Sequence, residues 1–187
     1  YPDDRYSVGG IVFFNGKTLN YNHPLGENYR TPIHEVLHLF GIGHSTTASS
    51  LMAYTENWNP KLSQDDIVAA ESLFGVSDGA TATVAVTKSS EVAMGVEVTW
   101  VNKVTGASST AITDRSGVAI IRGLTAGTYL VGVRELTPTG PCFTTPTRGF
   151  LTSFYKTNSS ATNVPTEATT VSVANGDSVS IQVPLIV

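Results

Sequence analysis

The sequence has a single cysteine, Cys142. No internal disulfide can form, so whatever holds the fold must be packing, hydrogen bonding or a metal. Charge is also scarce. Charged residues make up 14% of the chain, with 11 Lys and Arg against 15 Asp and Glu, for a formal net charge of -4. No basic stripe or Lys/Arg cluster is present, which argues against nucleic acid as a partner. No apolar run approaches the length of a membrane span. The chain starts at Tyr1 and shows no signal peptide, so a processed form or a portion of a longer protein is expected. Little Cys and Lys with abundant Thr, Ser and Gly suits an exported protein of bacterial type. What is present is enough for real cores: 187 residues, 41% hydrophobic, room for one large or two small domains.

The most informative stretch is His34-Glu35-Val36-Leu37-His38-Leu39-Phe40-Gly41-Ile42-Gly43-His44. On a helix, His34 and His38 share one face, one turn apart, and can bind one ion. Glu35 follows the first ligand and can act as a general base beside the open coordination position. Gly41 tolerates φ > 0, so it can end the helix and turn the chain back, bringing His44 to a third ligand position. Three imidazoles with one position left for water is the open pattern of a catalytic zinc site. The spacing H-E-x-x-H-x-x-G-x-x-H is that of the metzincin metallopeptidases.

Along the chain, Gly10 to Phe14 reads as a strand closed by Asn15-Gly16. Residues 17–30 read as loop, with His23 solvated there. Thr31-Pro32 predicts a helix start and a helix to about Phe40. After Met52 and a turn at Asn57 to Pro60, Ser63 predicts a second helix, with Asp66 placed to complete a capping box, Ile67, Ala70 and Phe74 on one face, and Gly75 as the stop. Near 75–80 the character changes to period-two alternation. Ala82, Val84 and Val86; Val96, Val98 and Trp100; Ala119 and Ile121; Tyr129, Val131 and Val133; Val171 and Val173; and Val179 to Leu185 read as strands, with turns at Asp114 to Gly117, Ala126-Gly127 and Asn175-Gly176. Residues 138–167 are expected to be an irregular loop with an edge strand near Phe150 to Tyr155. The expected architecture is an α+β segment over 1–75 (one or two strands, active-site helix, Met-turn, C-terminal helix), a linker over 76–80, and an all-β antiparallel sandwich over 81–187.

Met52, eight residues after His44, and Lys61-Leu62-Ser63-Gln64-Asp65-Asp66-Ile67 carry a resemblance to the matrixins within the metzincins. Val8 to Phe14 is similar to the last strand of the matrixin sheet. The resemblance covers roughly residues 7–75. It implies one catalytic zinc on His34, His38 and His44, Glu35 as base, and Met52 as an apolar floor beneath the ligands. Peptide bonds would be hydrolysed by a zinc-activated water. Asp65 and Asp66 match an acidic pair that ties the last helix to the active-site base and to a mature N-terminus. Leu37 and Ala53-Tyr54 depart from the family pattern. Tyr54, two after the Met, is similar to astacins and serralysins and implies a zinc-side or pocket-wall role. Phe13 and Asn15 replace residues that hold structural zinc and calcium in many matrixins, so no second zinc and no calcium are expected. A whole matrixin catalytic domain is about twice as long as this part, so the edge strand that carries substrate is expected upstream of this chain.

Gly95 to Gly106, Thr113 to Gly117 and Gly123 to Tyr129 resemble the prealbumin-like repeats of the carboxypeptidase-regulatory or collagen-adhesin B type. That implies a stalk, spacer or adhesive accessory module. Some relatives carry a Lys–Asn isopeptide bond assisted by an acid, for which Lys88, Glu135 and Asn175 would be the candidates; the turn role of Asn175 explains it without a bond. Two functions follow: a secreted zinc endopeptidase acting on protein or peptide, or a non-catalytic adhesion or spacer protein with an inactive peptidase remnant.

Overall fold

A computed structural model describes residues 30–53, 61–74, 78–136 and 146–187. The expected strand at Gly10 to Phe14, the loop with His23, Phe13 and Asn15, Tyr54, the turn at Asn57 to Pro60, Gly75 and Cys142 lie outside these residues. Among the described residues, two helices precede ten strands: α1 (Arg30–Leu39) and α2 (Gln64–Phe74), then β1 (Ala80–Lys88), β2 (Glu91–Val92), β3 (Val96–Asn102), β4 (Ser108–Ile112), β5 (Val118–Leu124), β6 (Gly127–Glu135), β7 (Ser153–Thr157), β8 (Ser160–Thr162), β9 (Val171–Val173) and β10 (Ser178–Pro184). None of the described helices is long and apolar enough to cross a membrane.

Two sheets face each other. One runs β10-β1-β2, with β5 also on β1; the other runs β4-β3-β6-β7-β8, with β9 also on β6. Period-two alternation sets the inner faces. Ala80, Ala82, Val84 and Val86 point inward from β1, and Tyr129, Val131 and Val133 from β6. They enclose Trp100, which is fully buried and meets the Tyr129 ring edge-on at 5.8 Å. Glu97 breaks the alternation. It is buried, and its carboxylate accepts from Arg134 Nε at 2.6 Å across the β3–β6 register. At the tight turn before β5, Asp114 Oδ1 accepts from Ser116 N and Val118 N, at 2.9 and 3.0 Å. Gly117 there has φ +74, and a Cβ would fall 2.8 Å from the Val86 carbonyl oxygen.

Three expectations need correction. The sandwich is not wholly antiparallel: β10 lies parallel to β1, from Thr81↔Ser178 to Thr87↔Pro184. Alternation identifies a strand's faces but not its partner, and the turn at Asn175-Gly176 does not close a hairpin. It carries the chain from β9, paired with β6, to β10 in the other sheet. The segment expected as irregular loop contains a hairpin, β7 with β8, and a short 3-10 turn at Pro165–Glu167. Its strand starts at Ser153, and its short, half-exposed sequence leaves almost no alternation to read. The short polar strand β4 was not foreseen either, and it bears on the site below.

The helices are fastened to this sandwich. Val68 of α2 belongs to the sandwich's buried cluster, with Ile121 and Leu124 of β5. Glu71 lies directly over Gly123, whose φ of +81 favours glycine and where a Cβ would also meet the Glu71 Cβ at 3.0 Å. At the far edge, Lys88 Nζ donates to the Arg148 carbonyl at 2.5 Å, and Glu135 accepts from Gly149 N at 2.6 Å. Asn175 sits at the other end of the β1–β10 pair, where its Oδ1 accepts from Ala126 N at 3.2 Å. Lys88 and Asn175 are therefore separated by the length of a seven-residue strand pairing, roughly 20 Å at about 3.3 Å per residue. The intact mass is expected to equal the sequence mass; a deficit of one ammonia would show a Lys–Asn bond and overturn this arrangement.

Candidate metal centre

The helix that carries the first two histidines ends in a Schellman motif. Ile42 N donates to Leu37 O at 3.2 Å and Gly41 N to His38 O at 3.0 Å, with Gly41 at φ +86. Ile42 packs on Leu37, the apolar contact that accompanies this motif. The reversal does two things at once. It sends the chain toward His44, and it presents the Ile42 carbonyl to His38, whose Nδ1–H donates to it at 2.7 Å.

His34 is held in the same way from further along the chain. Its Nδ1–H donates to Leu51 O at 2.8 Å. With both Nδ1 atoms engaged as donors, the Nε2 atoms of His34 and His38 carry free lone pairs. The ligand atoms of His34, His38 and His44 all lie within 4.8 Å of one another. His38 Nε2 and His44 Nε2 stand 3.3 Å apart. Two nitrogens at 2.0–2.1 Å from a tetrahedral ion would be about 3.4 Å apart, so this spacing is the edge of a zinc tetrahedron. The carbonyl partners are the usual means of fixing a ligating imidazole's tautomer. By spacing, tautomer and donor type the three residues fit a zinc ion. Burial, then the nearby His38 and His34, lower the His44 pKa, partly offset by the Glu35 charge. The shift favours the neutral form of His44, the one that ligates, and the Glu35 carboxylate lies within electrostatic reach of the cluster.

Below the histidines, Ser50 to Ala53 form a turn, with Ala53 N donating to Ser50 O at 3.1 Å. Met52 is buried there with Leu51 and Ile42. Ser45 N donates to Met52 O at 2.8 Å, joining the turn to the residue after His44. Asp66 ties the turn to α2. It accepts from Ser50 Oγ (2.5 Å), Leu51 N (2.8 Å), Met52 N (3.1 Å), Ser63 N (2.7 Å) and Ser63 Oγ (2.7 Å). Ser63 Oγ accepts from Asp66 N in return, which completes the expected capping box. Burial raises the Asp66 pKa, but the donors from Ser50, Leu51 and Ser63 outweigh it and the net shift is downward. Asp65 goes the other way: desolvation raises its pKa against the hydrogen bonds it accepts from Ser45 and Thr110. Thr110 was not legible as a partner, because Ser108-Ser109-Thr110 carries no apolar alternation. Tyr54 is outside the described residues.

Residues 19–75 match the family model for the matrixins, which spans the histidine motif and both helices. No curated protein matches the chain. Among solved structures, the chain is similar to BcpA, the major pilin subunit of Bacillus cereus, at 13% identity and a TM-score of 0.37, over 58% of this chain and 30% of that one. The chain thus spans under a third of that pilin.

Two outcomes follow from this geometry. Ionised Asp66 stabilises the fold above the ordinary carboxylate pKa near 4, and that contribution is lost as pH falls through its depressed value. Asp66→Ala should therefore cost about 2–4 kcal/mol at neutral pH, with the gap to the unaltered chain closing in acid, as read by denaturant unfolding across pH. Zinc affinity, measured by competition with a chromophoric chelator, should fall as the solution is made acid, because protons compete with the ion for ligating imidazoles.

Proposed function

We propose that the chain is the metal-bearing part of a secreted zinc-dependent endopeptidase of matrixin type, with a β-sandwich accessory domain following it. The observation that carries this reading is the convergence of His34, His38 and His44 with two Nδ1 atoms already committed to carbonyls. The matrixin match over the same stretch supports it. A structural zinc would want a fourth protein ligand. Among the described residues the metal-capable cluster has three, and an acid rather than a ligand stands beside the first.

Zinc bound there would supply Lewis acidity, polarising a scissile carbonyl and making water a better nucleophile near neutral pH. The remaining work falls to the chain. His34, His38 and His44 hold the ion while Leu51 O and Ile42 O keep two of the rings turned toward it. Glu35 takes the proton of the attacking water and returns it to the leaving amine. Met52 closes the floor beneath the ligands, and Tyr54 has a zinc-side or pocket-wall role. The substrate is a protein or peptide; one zinc and no calcium are used.

The competing reading is an adhesion or spacer protein with a spent peptidase segment. Glu35→Gln separates them. In the full-length parent, the variant should keep stoichiometric zinc and lose peptide hydrolysis by about 100-fold or more, since general-base catalysis contributes 10²–10⁴. Hydrolysis that survives the change, or that is absent from the zinc-loaded unaltered protein, overturns the assignment.

A further inference from the structure

The accessory sandwich is joined to the third histidine through one carboxylate. Asp65 of α2 accepts from Ser45 Oγ on one side, and Ser45 is the residue after His44. On the other side it accepts from Thr110 N at 2.5 Å and from Thr110 Oγ1 at 3.1 Å. Thr110 is on β4, the edge strand of its sheet, and its outward N–H is one that no neighbouring strand uses. Edge donors left open are a liability, so an acid from another element capping one is a specific arrangement.

The same point is reached by a second route. Thr47 Oγ1 and Thr110 Oγ1 are 3.2 Å apart and share a hydrogen bond, while Thr47 N donates to Ser45 Oγ at 2.9 Å. Ser45, Thr47, Asp65 and Thr110 therefore close a ring of polar contacts, and Asp65 and Thr47 in it are buried. Beside the ring lies a cleft of about 350 Å³ between the His44 loop, α2 and the β4–β5 edge, lined by His44, Leu73, Ala111 and Ile120 among others. The ring adds to the Ser45 N–Met52 O bond and the burial of Ile42, and among these holds on the His44 loop it is the one that comes from the sandwich.

We infer that the sandwich is a working part of the metal centre: Asp65 and Thr110 are positioning residues that hold the His44 ligand from β4. This rests on the zinc reading above. An exposed ligand on a loop loses conformational entropy when it binds an ion, and a loop already anchored loses less. Outer partners of this kind are typically worth 10–100-fold in metal affinity.

The test is made on the whole 187-residue chain. Thr110→Val removes the hydroxyl from the ring and keeps the β-branched shape; Asp65→Ala removes both arms. Val133→Ala, in the sandwich core on β6, two strands from β4, is the control for plain loss of stability. Zinc affinity is measured well below each variant's melting temperature. Cobalt(II) is then substituted, because its visible bands report distortion of a tetrahedral site. We expect about tenfold weaker zinc for Asp65→Ala, a smaller loss for Thr110→Val, less than additive loss in the double variant, and altered cobalt bands. Val133→Ala should melt earlier with zinc affinity and cobalt bands unchanged. Affinities of the two ring variants within twofold of the unaltered chain overturn the inference, as does an equal loss in Val133→Ala. If the unaltered chain binds no zinc at all, the zinc reading falls and this falls with it; zinc binding indifferent to Thr110 and Asp65 sinks the inference alone.

Discussion

The carboxylate of Asp66 is what the helical part of the molecule hangs on. It receives hydrogen bonds from Ser63, the cap just before α2, and from the Ser50–Met52 turn together. Leu51, fixed by its N–H, offers its carbonyl to His34. A chain of three contacts thus runs from the start of α2 to a metal-facing ring. Removing the carboxylate would take an acceptor from Leu51 N, Met52 N and Ser63 N together, which costs more than any one hydrogen bond is worth. The ligand geometry is in this sense built from behind, by backbone carbonyls that are themselves held by a buried acid.

The two Schellman bonds at the end of α1 do the corresponding work for His38. One reversal with φ > 0 at Gly41 serves as helix stop, sets the Ile42 carbonyl to accept from a ligand ring, and is the bend that brings His44 round. Any residue with a Cβ would strain that φ, although there is room for the atom itself, whose nearest neighbour would be Leu73 Cδ1 at 3.9 Å. At Gly123 the backbone again has φ > 0, at +81, and there the closeness of Glu71 is added to it.

How much of this was legible depended on whether a signal was local. The histidine spacing, the Gly41 reversal and the Ser63–Asp66 capping box are all encoded within a dozen residues, and each is found as expected. The inward faces of β1, β3 and β6 were legible because they alternate over seven residues or more. What escaped was pairing over long distance. Nothing near Ser178 says that β10 runs beside β1, and nothing in Ser108 to Thr110 says that an acid from α2 will cap that edge. Asp65 shows the limit well. As a residue in the first turn of a helix it needed no further explanation, and the resemblance offered it a different partner; its actual partners lie on a loop before it and a strand 45 residues after it.

The parallel placement of the last strand against the first has a mechanical side. Ala80 enters β1 at the same end of the sheet at which Ser178 enters β10, so the two strands leave in one direction. Tension applied between the helices before β1 and the residues after β10 would slide these strands past each other lengthwise. All the cross-strand bonds from Thr81 to Thr87 would then bear the load at once, and none could give way singly. A sandwich closed by a terminal hairpin would peel open under the same pull, bond after bond. This one would resist it in shear.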